Sequence, residues 1–141
     1  MRGAERPYRL DDQVGYILRL ASQRHATLFL ARLGSDLTPT QFAAMVRLAE
    51  MGQCSQNELG RQTAMDVATV KGVVDRLRAK GLVTQTADPG DKRRSLLSLS
   101  QKGKAMIADL HARGRAVTAD TLEPLDPAEQ ETLLALLRRL V

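Results

Sequence analysis

The cations of this sequence, 21 Lys and Arg against 16 acids, are unevenly spread. Residues 55–104 carry Arg61, Lys71, Arg76, Arg78, Lys80, Lys92, Arg93, Arg94, Lys102 and Lys104 against the acids Glu58, Asp66, Asp75, Asp88 and Asp91, a net of +5. The stretch before them nets +2 and the stretch after them −2, which sums to the +5 of the whole chain. Positive charge confined to the middle suits a polyanion that touches only the middle. The plain alternative is a solvated basic face. Catalytic groupings have no counterpart here: the sequence shows no glycine-rich phosphate loop, no nucleophile elbow and no paired carboxylates in an evident cleft. We therefore expect no enzyme activity and no cofactor. The two histidines, His25 and His111, are far apart and lack the neighbours a metal site needs.

The elements that must hold these cations are well punctuated. A helical pattern over about residues 11–32 follows Asp11 and Asp12. Leu10, Val14, Ile17, Leu18, Ala21 and Leu28 lie on one side, and Tyr16, Leu20 and Leu30 roughly opposite. A helix in a small monomer needs one apolar face, so the second suggests a partner chain. Gly34 ends it. Thr38-Pro39-Thr40-Gln41 reads as a capping box with proline at the first helical position, and Gly52 closes that helix. Ser55 to Glu58 reads as a second capping box, opening a short helix to about Gln62. Asp66 then caps a helix from Val67 to Ala79 that buries Val70, Val73 or Val74, and Leu77, with Gly81 as its C-terminal stop.

After Gly81 the apolar period changes from 3.6 to 2. Leu82–Thr86 and Arg94–Leu99 read as the two strands of a hairpin around the turn cluster Asp88-Pro89-Gly90-Asp91. Ser100 caps a helix to about Leu122. Asp126 to Glu129 is a third capping box, opening a terminal helix with Leu133, Leu134, Leu136, Leu137 and Leu140 on a broad apolar face. The fold class is thus mainly α with a small two-stranded β-wing. Within one domain spanning 1–141, residues 38–100 form a winged helix-turn-helix, its helix-turn-helix at about 55–78 and its wing at about 82–99. Residues 11–34 and 101–141 supply dimerisation helices.

The physics of reach assigns roles. An α-helix fits the major groove of duplex DNA, and its N-terminal half meets the base edges. Outward-facing positions on the helix from Val67 are Ala68, Thr69, Lys71, Gly72, Asp75 and Arg76. Thr69 can donate to a base or phosphate and offers a methyl to thymine. Lys71 can reach guanine or phosphate. Gly72 lets the backbone approach, and Arg76 suits a backbone phosphate. Gln56 and Asn57 open the preceding helix, where free N–H groups favour phosphate. Lys92, Arg93 and Arg94 put three cations at the hairpin tip, suited to a narrow minor groove. Alternatively Asp91 pairs with a neighbouring arginine and the tip is merely solvated.

The run SQNELGRQTAMDVATVKGVVDRLRAKGLVTQTADPGDKRRSLLSLSQKG resembles the DNA-binding core of the MarR family of bacterial regulators. The wing pattern Asp91-x-Arg93, the Leu99-Ser100-x-x-Gly103 ending and the DRLRAKGLV segment, Asp75 to Val83, carry the resemblance. It covers nearly the whole chain. It implies a symmetric homodimer on a pseudo-palindromic site of double-stranded DNA, Arg93 in the minor groove, and repression. Lys71-Gly72 stands where many members carry longer polar residues.

The resemblance also implies release from DNA by a small molecule, often an aromatic or phenolic acid, in a pocket between the dimer helices and the reading domain. Arg19 and His25 of the first helix, with Tyr16, are the candidates for that ligand. Arg19 and His25 are six residues apart, roughly 120° of rotation, so they flank a groove rather than share a stripe. Arginine would pair with a carboxylate and histidine with a ring hydroxyl or nitrogen. Against this, Arg19 could serve a salt bridge between subunits and His25 could be a satisfied core histidine. A rival control is redox, through Cys54 just before the Ser55 helix, where a helix N-terminus can depress a thiol pKa. A further alternative is a winged-helix protein-interaction module that never touches DNA. The single cysteine suits a reducing cytoplasm. The segment Met1–Leu10 lacks the apolar stretch of a signal peptide, and no apolar run approaches the roughly 20 residues that span a bilayer.

Overall fold

The computed structural model describes residues 3–141. A single 3-10 turn (Leu10–Asp12) precedes α1 (Val14–Leu33), and α2 (Pro39–Met51), β1 (Gln53–Cys54), α3 (Gln56–Gln62) and α4 (Val67–Ala79) follow. Then come β2 (Val83–Asp88), β3 (Asp91–Leu99), α5 (Gln101–Leu122) and α6 (Pro127–Arg138). The chain forms two compact units. Leu33–Arg115 makes one, and the residues up to Arg32 with Ala116–Val141 make the other. No helix among the described residues is long and apolar enough to cross a membrane.

Capping decides most helix starts. The Thr38 hydroxyl accepts from the Gln41 N–H, and the Gln41 side chain accepts from the Thr38 N–H, completing the expected box with Pro39 in the first turn. Asp126 and Glu129 do the same for α6. At α3 only half a box forms. Ser55 Oγ accepts from the Glu58 N–H at 3.2 Å, but the Glu58 carboxylate turns to Arg61 and Gln62 instead. The first helix starts at Val14 rather than at residue 11, because Gln13 is extended (φ −89°, ψ 132°) and separates Asp11 and Asp12 from α1. Gly34 (φ +60°) and Gly52 (φ +81°) take the left-handed backbone expected where α1 and α2 end.

In the unit Leu33–Arg115, α2, α3 and α4 enclose an aliphatic core of Met45, Leu48, Leu59, Val70, Val74 and Leu77, with Leu97 of the sheet. Both Val73 and Val74 are buried. The sheet has three strands in the order β1-β3-β2, not the two expected of the wing. The extra strand is the residue pair Gln53–Cys54, opposite Ser98 and Leu97; two residues carry no period that a sequence could display. The hairpin strands also run longer than expected, to Asp88 and from Asp91, around a turn at Pro89-Gly90.

One corner fastens α4, the hairpin and α5 together. Gly81 (φ +74°) ends the helix. The Ser100 hydroxyl donates to Gly81 O at 2.6 Å and accepts from the Gly103 N–H at 3.0 Å, while Ser100 N–H donates to Leu82 O at 2.9 Å. Gly103 sits so close that an added Cβ would lie 2.3 Å from Leu82 O. That neighbour is backbone and cannot swing aside, so Gly103→Ala should lower unfolding stability by about 2 kcal/mol, within the range for overpacking. Urea denaturation checks this; an unchanged midpoint would show that the corner is looser than described.

Candidate nucleic-acid interface

Asp66 caps α4 through the Thr69 N–H at 2.7 Å. The Thr69 main chain, the Thr69 side chain and the Ala68 N–H together hold the Asp66 carboxyl below the usual carboxylate range. From this start α4 turns Val70, Val73, Val74 and Leu77 inward, so Ala68, Thr69, Lys71 and Arg76 face solvent, as expected. Lys71 is already engaged: its Nζ donates to Asp75 at 2.8 Å, and this bond is the leading reason that the Asp75 carboxyl is held low. Both groups are exposed, so the pair is weak and Lys71 can exchange it for another acceptor.

Gly72 is half-buried. Its missing side chain opens room for Arg76, whose Nη1 would lie 3.2 Å from an added Cβ. The glycine therefore lets the arginine fold along the helix. Gln56 is half-buried and Asn57 exposed on the first turn of α3. Arg61 is tied to Glu58, and Arg47 donates to Gln62 O at 3.0 Å, fastening α2 to the end of α3.

The wing cations do not sit on the turn. They follow it, at the start of β3. The ladder steps from Ala87↔Ser95 to Asp88↔Asp91, so Lys92, Arg93 and Arg94 have no residue opposite them on β2. This bulge pushes three consecutive exposed cations out of the hairpin. Asp91 does not neutralise them by an ion pair. Its carboxylate accepts the Arg93 main-chain N–H at 3.0 Å, which fixes the bulge and leaves the guanidinium outside. Among the described residues none of the three cations forms an ion pair.

A second group of polar residues belongs to the other unit. Arg19 lies over the Tyr16 ring, its guanidinium carbon 5.4 Å from the centroid, a cation–π arrangement that extends both side chains from α1. His25 is exposed, which removes the core-histidine reading. Its Nδ1 lies 2.9 Å from Thr121 Oγ1, and Thr121 donates its single hydroxyl proton to Val117 O at 2.8 Å. Nδ1 must therefore be the donor, and in the neutral ring Nε2 is left as an acceptor. No hydrogen bond joins Arg19 or Tyr16 to His25 among the described residues. The sequence reading missed the neighbours that hold α1 here. Arg24 donates to the carbonyls of Asp120 and Thr121 at 2.9 and 2.7 Å, and Arg32 grips the Asp120 carboxylate with two bonds. Main-chain acceptors nearly a hundred residues away leave no mark in a sequence.

Cys54 is buried on β1, and burial, with Glu58 nearby, pushes its thiol pKa up. That is the reverse of the depressed thiol that a helix N-terminus was expected to produce, so the redox reading loses its chemical basis. No group of three or more His, Cys, Asp or Glu among the described residues could hold a metal ion.

A capped helix with a polar outer face, beside a hairpin that extrudes three unpaired cations, is the reading head of a winged helix. The MarR family model matches residues 35–94. The repressor NicR of Pseudomonas putida is 36% identical over 136 residues, covering 96% of this chain and 86% of its own. The chain belongs to the MarR family. It is a winged-helix, DNA-binding transcription regulator and not an enzyme. Among solved structures, a probable transcriptional regulator from Pseudomonas aeruginosa superposes with a TM-score of 0.92 at 56% identity, over 94% of this chain and all of that one. BpsR of Bordetella bronchiseptica, solved to explain regulation of its DNA binding by 6-hydroxynicotinic acid, gives 0.91 at 37% identity, over 96% and 97%.

For this MarR-family chain the bulged wing makes a specific demand. Arg93→Ala should weaken binding to a cognate duplex by about 1–3 kcal/mol, the range for a groove contact. The melting temperature should not change, because the side chain makes no bond within the fold. Fluorescence anisotropy and thermal denaturation of the same variant check both; unchanged affinity would remove Arg93 from the interface.

Proposed function

We propose that this regulator is a repressor that occupies a pseudo-palindromic operator as a homodimer and leaves it on binding a small aromatic carboxylic acid. Two copies would place their α4 helices in successive major grooves, with Thr69, Lys71 and Arg76 toward bases and phosphates, Gln56 and Asn57 on the backbone, and Arg93 in the minor groove.

What one chain leaves uncovered supports the dimer. Leu10, Val14, Ile17, Leu20 and Leu30 are between 43% and 65% exposed, and Leu136 and Leu140 of α6 are 51% and 67% exposed. Apolar side chains in such number on the outer helices call for burial against a second copy.

The effector reading is carried by His25. With Nδ1 committed to Thr121, its Nε2 can accept a hydrogen bond from a ring hydroxyl, while Arg19, backed by Tyr16, offers two parallel donors to a carboxylate. A hydroxylated aromatic acid carries both groups on one rigid ring. The effector of BpsR, 6-hydroxynicotinic acid, has that chemistry, and NicR is a repressor, which supports the same reading here.

The test is an anisotropy titration of the regulator on the intergenic duplex beside its own gene, at fixed salt, against a panel of hydroxylated aromatic and pyridine carboxylic acids. Tight binding reversed by one acid is expected. Arg19→Ala should keep DNA affinity within about twofold and raise the acid concentration for release at least about tenfold, the worth of one charge-assisted bidentate pair. Normal release of the variant would take Arg19 out of the site, and release by no acid would sink the effector reading.

A further inference from the structure

The first turn of α4 presents methyl groups where polar reading groups are normally sought. Val67, at the first helical position, is 73% exposed, and Ala68 beside it is exposed too. Its spacing of three from the buried Val70 suggests the core face, but this turn overshoots the core. Several polar groups near it are engaged within the fold. The Asp66 carboxylate takes the Thr69 N–H, and the Thr69 side chain adds to that cap. Lys71 holds Asp75 one turn on, Arg76 folds along Gly72, and Arg61 across the hollow between α3 and α4 is held by Glu58. A lone exposed valine on a protein surface is unremarkable. One on the first turn of a recognition helix sits where base edges are met.

We infer that Val67 is a specificity-determining residue that reads the 5-methyl group of a thymine in each operator half-site. The reading rests on the DNA contact proposed above and deepens it. In the major groove thymine alone carries a methyl on its base edge, so an apolar tip favours thymine over the other bases. The electrostatics point the same way. The Asp66 carboxylate, which caps this turn, is adjacent to Val67 and places a negative charge where a phosphate would otherwise be drawn. The cations that attract phosphate lie elsewhere, on the later turns of α4 and on the wing.

The experiment uses the full-length protein and its own intergenic duplex, with thymines replaced one at a time by deoxyuridine, which lacks only the methyl. One position per half-site should lose affinity by about fourfold, the worth of one buried methyl-sized group, and by about tenfold or more when both half-sites are changed. Val67→Ala should bind the thymine duplex as weakly as the wild type binds the doubly substituted one, and should be indifferent to uracil at those positions. Val67→Thr, which keeps one methyl in the same shape, should recover part of the sensitivity. Val67 lies outside the core, so circular dichroism should show all variants folded as the wild type. If uracil has no effect at any position, or if Val67→Ala remains as sensitive as wild type, the assignment is overturned while operator binding stands. Failure to bind the unmodified duplex overturns both.

Discussion

The DNA-reading half of this molecule depends on the corner where Ser100, Gly81, Leu82 and Gly103 meet. The Ser100 side chain and main chain bridge the end of α4 to the start of β2, and Gly103 brings α5 against the Leu82 carbonyl at a distance that no other residue would permit. Recognition helix and wing leave this one knot in fixed directions. A helix that enters the major groove and a hairpin that reaches the adjacent minor groove must keep their relative placement, or each contact costs the other. The motif Leu99-Ser100-x-x-Gly103 is thus a geometric device before it is a family signature.

Around this rigid head the exposed groups divide by what they are free to do. The carboxylates of Asp66, Asp75 and Asp91 are all occupied, by a cap, a lysine and a main-chain N–H. The cations of the bulge are not. Under the proposed reading, attraction to DNA falls to these unpaired cations and discrimination to the first turns of α4. The other unit shows a different economy. Arg24 and Arg32 are spent on fastening α1 to the end of α5, whereas Arg19 and the Nε2 edge of His25 face outward with capacity to spare. One helix, α5, contributes residues to both units.

Much of this was legible in the sequence, for identifiable reasons. Caps at Thr38, Asp66 and Asp126 and the stops at Gly34, Gly52 and Gly81 show because each needs one residue type at one position. The wing shows because its period changes to 2. The places where reading fails are those where a residue had two good options. Glu58 could complete a capping box or bind Arg61 and Gln62, and it binds them. Lys92 to Arg94 belong to an extended run, and only the register shows that they bulge. Cys54 sits where a helix N-terminus suggests a reactive thiol, but the two-residue strand that buries it is too short to see.

The proposed repressor brings two copies of this reading head together on one duplex. Hydroxyl-radical footprinting of the operator complex, with its stoichiometry measured by sedimentation, tests it most directly. Two chains per duplex are expected, with two symmetry-related protected patches centred about 34 Å apart, one turn of DNA. A single chain protecting a single patch would contradict the account at its foundation.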